Sequence, residues 1–246
     1  MRIDVLSFGT NDPQNALKIT NLLHKILDEH NIDTSHQELL KNLNKTIKPG
    51  DCDTHLTFES TSDKVNNSVV VIYPLHSEFS LSNWCDLKLY TAHISEKFFD
   101  QLRTQRQFGY ICSQSMMVMP EIASIAFLVQ SEKPIDEIKF AIEEFSQNSV
   151  QILKEMNDQE WQKCIDAETK ALLAEANSLK TDFSELHSTW FLSKRNLTQE
   201  NFKRRQNLMD SLEIFNRQKF INLLDENILD AQSKRMIVID CRKSTN

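Results

Sequence analysis

The sequence predicts an α+β fold, a largely antiparallel sheet with helices packed on one face, and three observations point to it. Strand-like runs arrive in adjacent pairs, at 54–60 with 67–75 and at 110–117 with 122–131. Short separations of that kind favour antiparallel pairing. Helical periodicity is grouped in a long block from Pro134 to about Ile228 and does not alternate strictly with strands. No GxGxxG follows a strand, so a doubly wound parallel sheet is disfavoured.

The chain begins with "RIDVLSFG", which alternates enough to be a strand. An amphipathic helix follows, with Ala16, Ile19, Leu23 and Ile26 on one face and Pro13 near its start. The polar stretch from about Asn31 to Asp53, with Pro49-Gly50 near its end, reads as an irregular connection. "THLTFES" and "NSVVVIYPL" then read as an antiparallel pair, the second rich in β-branched residues. A helix capped by Ser82 runs through Leu87, Tyr90, Ile94 and Phe98 to Phe108. Gly109 supplies a left-handed turn past its end, and a strand begins at Tyr110.

After that strand a turn around Pro120 leads into "IASIAFLVQS", forming a hairpin. Three helical segments carry Ile138, Ile142 and Phe145, then Trp161, Cys164 and Ile165, then Phe183, Leu186 and Trp190. A last helix is capped by Asn216 and faces inward with Phe220, Leu223 and Leu224, and "RMIVIDC" closes the chain as a strand. No linker rich in Pro, Gly or Ser divides the sequence, so residues 1–246 read as a single domain.

With 28 Lys and Arg against 35 Asp and Glu, the formal net charge is -7. Phosphate neutralisation needs a concentrated positive surface, so a nucleic-acid partner is not expected. "KRNLTQENFKRR" at 194–205 reads as a solvated helix face. No apolar run is long enough for a membrane span or a signal peptide, so no membrane partner is expected either. Five widely spaced cysteines form no CxxC and read as ordinary thiols of a reducing compartment, which places the chain in the cytoplasm.

Catalytic machinery is hard to draw from these residues. A helical zinc hydrolase site needs two histidines one turn apart with a glutamate beside them. His24, His30, His36, His55, His76, His93 and His187 include no such pair, and "HISEK" at 93–97 puts Lys97 where a second ligand should be. With three glycines in 246 residues there is no GxSxG elbow and no phosphate cradle. "SMMVM" at 115–119 reads more cheaply as partly buried hairpin than as an adaptable binding surface.

Arg103 and Tyr110 remain. An arginine offers five directed donors and a tyrosine one more on a rigid ring, so together at a cleft they could bind peptide carbonyls or a developing oxyanion. On pattern alone, a surface ion pair and a core tyrosine are the commoner arrangement.

"ISEKFFDQLRTQRQFGYI" at 94–111, followed by "FLVQSEKP" at 127–134, resembles the C-terminal, non-zinc domain of the insulin-degrading enzyme and pitrilysin family of zinc metallopeptidases. The LRT-x-x-Q-x-GY pattern and the QSEKP segment carry the resemblance, and similarity in element order spans nearly the whole chain. The resemblance implies one of four repeated α+β units arranged as two halves that close around a chamber. It puts zinc and HxxEH in the first unit and gives the last unit chamber wall and substrate contacts. Arg103 and Tyr110 match the arginine and tyrosine that reach toward peptide near the metal.

Two departures bear on substrate preference. "SQSMMVMPEI" stands where a glycine is common, and Gln105-Arg106 replaces a more usual Lys-Glu pair. The expectation is therefore a non-catalytic domain, inactive alone and with no catalytic residue, metal ligand or cofactor of its own. Zinc is expected in a partner domain. Its partners are a peptide substrate and the zinc-bearing N-terminal half of the same enzyme, and its substrate-binding residues are Arg103 and Tyr110. The alternatives are a stand-alone binding or scaffold protein that keeps the fold, and an independent hydrolase using Cys112 or another thiol.

Overall fold

The computed structural model describes residues 12–29, 54–59, 66–77, 80–119, 122–174, 203–230 and 236–242. The expected first strand, the connection at 31–53, the helix bearing Phe183, Leu186 and Trp190, and most of the basic stretch lie outside these residues. Two compact units are present, one of Met1–Ile47 with Glu175–Arg204 and the other of Lys48–Ala174 with Arg205–Asn246.

In the first unit, α1 spans Pro13–Glu29. Asp12 starts it, its carboxylate accepting the Gln14 N–H at 3.0 Å, as a residue before a first helical turn does.

The second unit holds five strands, β1 (Thr54–Glu59), β2 (Asn67–His76), β3 (Ile111–Met119), β4 (Ile122–Ser131) and β5 (Ile237–Arg242). Their order is β1-β5-β2-β4-β3. β3–β4, β4–β2 and β2–β5 are antiparallel, as expected of the sheet and of the second hairpin. The expected β1–β2 pair is not formed. β1 pairs with β5 instead, in parallel, Thr54 opposite Ile237 through Glu59 opposite Arg242. The closing strand inserts between the two, and its apolar residues find there a neighbour on each side that a hairpin would deny them.

Register decides what faces the helices. His55, Val238, Val71, Phe127 and Gln114 form one row across the sheet, and Thr57, Asp240, Val69, Val129 and Cys112 the next. Against this face pack α2 (Leu81–Phe99) and α3 (Ile135–Glu155); beyond them α4 (Asp158–Leu173) packs on α2 and α6 (Arg217–Leu224) on α3, with α5 (Arg204–Glu213) preceding α6 in the chain. Phe127 lies at the centre. Its ring meets those of Tyr73, Tyr90, Phe98 and Phe145 edge-on, the closest being Phe98 with centroids 5.0 Å apart. The two buried tyrosines keep their hydroxyls satisfied on one turn of α3, Tyr73 with Ser146 at 2.8 Å and Tyr90 with Ser149 at 2.6 Å.

Local chemistry sets the helix ends. Ser80, two residues before the expected cap, accepts the Asn83 N–H and starts α2. Asp136 and Glu137 in the first turn of α3 and Lys154 in its last turn complement the helix dipole. Asn157 and Glu160 form a capping box at α4, and Asn216 caps α6 as expected. Regular α-helix in α2 ends at Phe99, not at Phe108, and widens into a π-helical turn over Asp100–Gln105.

Candidate functional site

The π-helical turn sets the direction of Arg103. Leu102 is fully buried and anchors the turn to the core, leaving its neighbour Arg103 half-buried at the surface. The chain then closes with two long-reach backbone bonds, Arg106 N–H to Gln101 O at 3.0 Å and Phe108 N–H to Leu102 O at 2.9 Å. Gln107, not Gly109, takes the left-handed turn, with φ 53°.

Gly109 is required for a different reason. A Cβ there would lie 2.2 Å from the carbonyl oxygen of Gln130 and 3.3 Å from the Cα of Ser131. The backbone of the loop is pressed flat against the end of β4, a close approach that only glycine permits. The same contact gives the QSEKP segment its physical sense. The Ser131 hydroxyl donates to the Phe108 carbonyl and accepts the Lys133 N–H at 3.1 Å, while the Lys133 ammonium lies 4.2 Å from the centroid of the buried Phe108 ring. Two motif segments far apart in sequence thus form one clamp, and the clamp fixes where Tyr110 emerges.

Tyr110 emerges beside Arg103. The guanidinium carbon is 4.7 Å from the centroid of the Tyr110 ring and 4.8 Å from that of Phe99, so the cation is stacked by two aromatic rings. Stacking of this kind uses the planarity of arginine and leaves its N–H edge available. Tyr110 is 80% exposed, so the expected core tyrosine is replaced by a surface one. It precedes the strand that was expected to include it, β3 starting at Ile111.

Among the described residues Arg103 has no carboxylate partner. Its cationic neighbours do: Arg106 pairs with Glu144 at 2.6 Å and Lys133 with Glu137 at 2.6 Å, while the Asp100 carboxylate accepts from the neutral Gln105 amide at 2.7 Å. The Arg106 substitution noted in the sequence is therefore neutralised by α3, and Arg103 is the cation of this corner with no ion pair among the described residues. The geometry brings the two predicted residues together. Phe99, missed in the sequence, sits four residues before Arg103, the spacing at which helical side chains meet.

Cys112 lies just beyond, under α2. Burial pushes its thiol above the ordinary range, although Arg103 works against this, so it is a poor nucleophile. Cys85 is pushed up to about 12 and Cys164 to about 11, both chiefly by burial. No group of three or more His, Cys, Asp or Glu residues suited to a metal ion occurs among the described residues. His93, of the near-miss "HISEK", packs edge-on against Trp161 with ring centroids 5.0 Å apart.

A second polar cluster went unread in the sequence. The carboxylate of Asp240 in β5 meets the His55 imidazole and accepts from Thr57 at 3.2 Å and from Arg242 at 3.3 Å. Only the parallel β1–β5 register brings these residues together.

Comparison with known proteins agrees with the motif. Residues 89–187 match the family model described as PQQ synthase PqqF-like, C-terminal lobe domain 4. The A-factor-processing enzyme of Saccharomyces cerevisiae is 23% identical over 241 residues, 96% of this chain and 22% of that protein. The insulin-degrading enzyme of Homo sapiens is 30% identical over 110 residues, 45% of this chain and 11% of that one. Among solved structures, pitrilysin superposes with a TM-score of 0.69 at 18% identity, covering 97% of this chain and 24% of its own. The chain thus spans less than a quarter of the length of these proteins. No helix among the described residues is long and apolar enough to cross a membrane.

Proposed function

We propose, for a chain that resembles the C-terminal, non-zinc domain of the insulin-degrading enzyme and pitrilysin family, that it forms part of the wall of a peptidase chamber and contacts peptide substrate through Arg103 and Tyr110. The observation that carries this reading is the stacked guanidinium, which has no carboxylate partner among the described residues. A cation held between Phe99 and Tyr110, with its neighbours Arg106 and Lys133 already paired, is set to donate to an oxygen brought from outside.

The chemistry asked of the two residues is positioning. The guanidinium N–H edge grips peptide carbonyls, and the Tyr110 hydroxyl adds a donor on a ring whose position is fixed by the Gly109 clamp. On this reading the metal comes from another domain, the zinc-bearing N-terminal half, and this chain alone is inactive; no group of three or more His, Cys, Asp or Glu residues suited to a metal ion occurs among the described residues. Residues 1–246 act together as one such domain, in the cytoplasm.

Mixing the purified chain with a separately expressed zinc-bearing half tests this. Restored hydrolysis of a fluorogenic peptide supports the reading. Association without hydrolysis, or neither, contradicts it and favours a scaffold that keeps the fold.

A further inference from the structure

Among the described residues β3 pairs only with β4, so its other edge is free. Sheet edges that are meant to stay single are kept short, charged, bulged or interrupted by proline. β3 has none of these devices. It runs nine residues, "ICSQSMMVM", with no charge and no proline, in unbroken register with β4. Strand side chains project to the two faces of the sheet and not into its edge, so those of β3, with Ile111, Ser113 and Ser115 on the exposed face, do not block an approaching backbone.

We infer that the outer edge of β3 takes an extended peptide as an added antiparallel strand whose C-terminal end carries a carboxylate to Arg103. The direction follows from charge. Arg103 and Tyr110 lie at the N-terminal end of β3, where an antiparallel partner finishes and a parallel partner begins. A parallel peptide would bring its amino group to the Arg103 guanidinium, while an antiparallel one brings a carboxylate, from its own terminus or an acidic side chain. This deepens the peptide-contact reading and rests on it. It adds a binding mode, a polarity and a preference for acidic C-terminal ends.

The probe is an acetylated peptide as long as β3, alternating Val and Thr and ending in Asp with a free carboxylate, followed by fluorescence anisotropy on the full chain. Alternate residues of an extended strand point their N–H groups to the same side, so backbone N-methylation at alternate residues removes either all of the donors to β3 or none of them, and two such peptides in opposite phase are compared. The expected result is that one phase binds about as well as the parent and the other at least about tenfold more weakly. Arg103→Gln, and replacement of the terminal Asp by a Thr amide, each weaken the parent about tenfold. Equal tolerance of both N-methylated phases overturns strand pairing, and does so independently of the peptide contact if Arg103→Gln still weakens binding. Indifference to the carboxylate overturns the polarity. Concentration-dependent dimers that the peptide does not dissolve would assign the edge to a second copy of this chain and overturn the proposal.

Discussion

The guanidinium of Arg103 is stacked on the ring of Tyr110, 4.7 Å from its centroid, although seven positions separate the two residues and a π-helical turn and a left-handed Gln107 lie between them. At an exposed site such a stack is worth about 0.5–1 kcal/mol. Tyr110→Ala is therefore expected to lower stability by under about 1 kcal/mol in urea unfolding while releasing the Arg103 side chain. Tyr110→Phe should leave stability unchanged, because the ring remains and its hydroxyl has no hydrogen-bond partner among the described residues. A loss above about 2 kcal/mol for Tyr110→Phe would show that the hydroxyl serves the fold.

Gly109 and Gln107 give opposite expectations. Gly109→Ala forces a Cβ to 2.2 Å from the Gln130 carbonyl oxygen, so the loop must lift from β4, at a cost of about 2 kcal/mol or more. Gln107→Gly relieves a left-handed conformation that costs a side chain about 1 kcal/mol, and should be neutral or mildly stabilising. Urea midpoints of the two variants measure both, and the reverse order would contradict the observed turn.

Asp240 makes stability sensitive to acid. Burial pushes its carboxyl up, but hydrogen bonds from His55, Arg242 and Thr57, with the attraction of His55, outweigh burial and hold it below the usual carboxylate range. A carboxyl that ionises more readily in the folded chain stabilises it above the unfolded value of about 4, and that contribution is lost as pH falls through the folded value. The urea midpoint should therefore fall as pH drops from about 5 toward 3, and fall less in Asp240→Asn. An equal fall in both would mean that other carboxylates carry the effect.

Thiol labelling separates the thiol-hydrolase reading from the others. With Cys85 pushed up to about 12, Cys164 to about 11 and Cys112 raised as well, the folded chain should alkylate at these positions far more slowly at about pH 8 than in urea. Peptide mass spectrometry after timed iodoacetamide treatment reads each site. Fast labelling of Cys112 in the folded chain would restore it as a candidate nucleophile.

The fold class was legible because it depends on local pattern. Val69, Val71 and Tyr73 alternate inward on β2, and Leu87, Ile94 and Phe98 share the buried side of α2. The β1–β5 pairing was not legible, because nothing in "THLTFE" marks a partner about 180 residues away, and proximity in sequence favoured the wrong neighbour. Arg103 and Tyr110 could be singled out by motif. Their stacking depends on the π-helical turn, and the need for Gly109 depends on Gln130, which no local spacing encodes. The cluster around Asp240 was hidden for the same reason as the parallel pairing that creates it.

Peptide turnover by this chain combined with a zinc-bearing half tests the proposed peptide contact most directly, with Arg103→Ala and Tyr110→Phe measured as kcat/KM. On that proposal the loss of one donor should lower kcat/KM by about tenfold or more in each variant, with stability preserved. Unchanged kcat/KM in both variants would contradict the claim and leave the stacked pair as a feature of the surface alone.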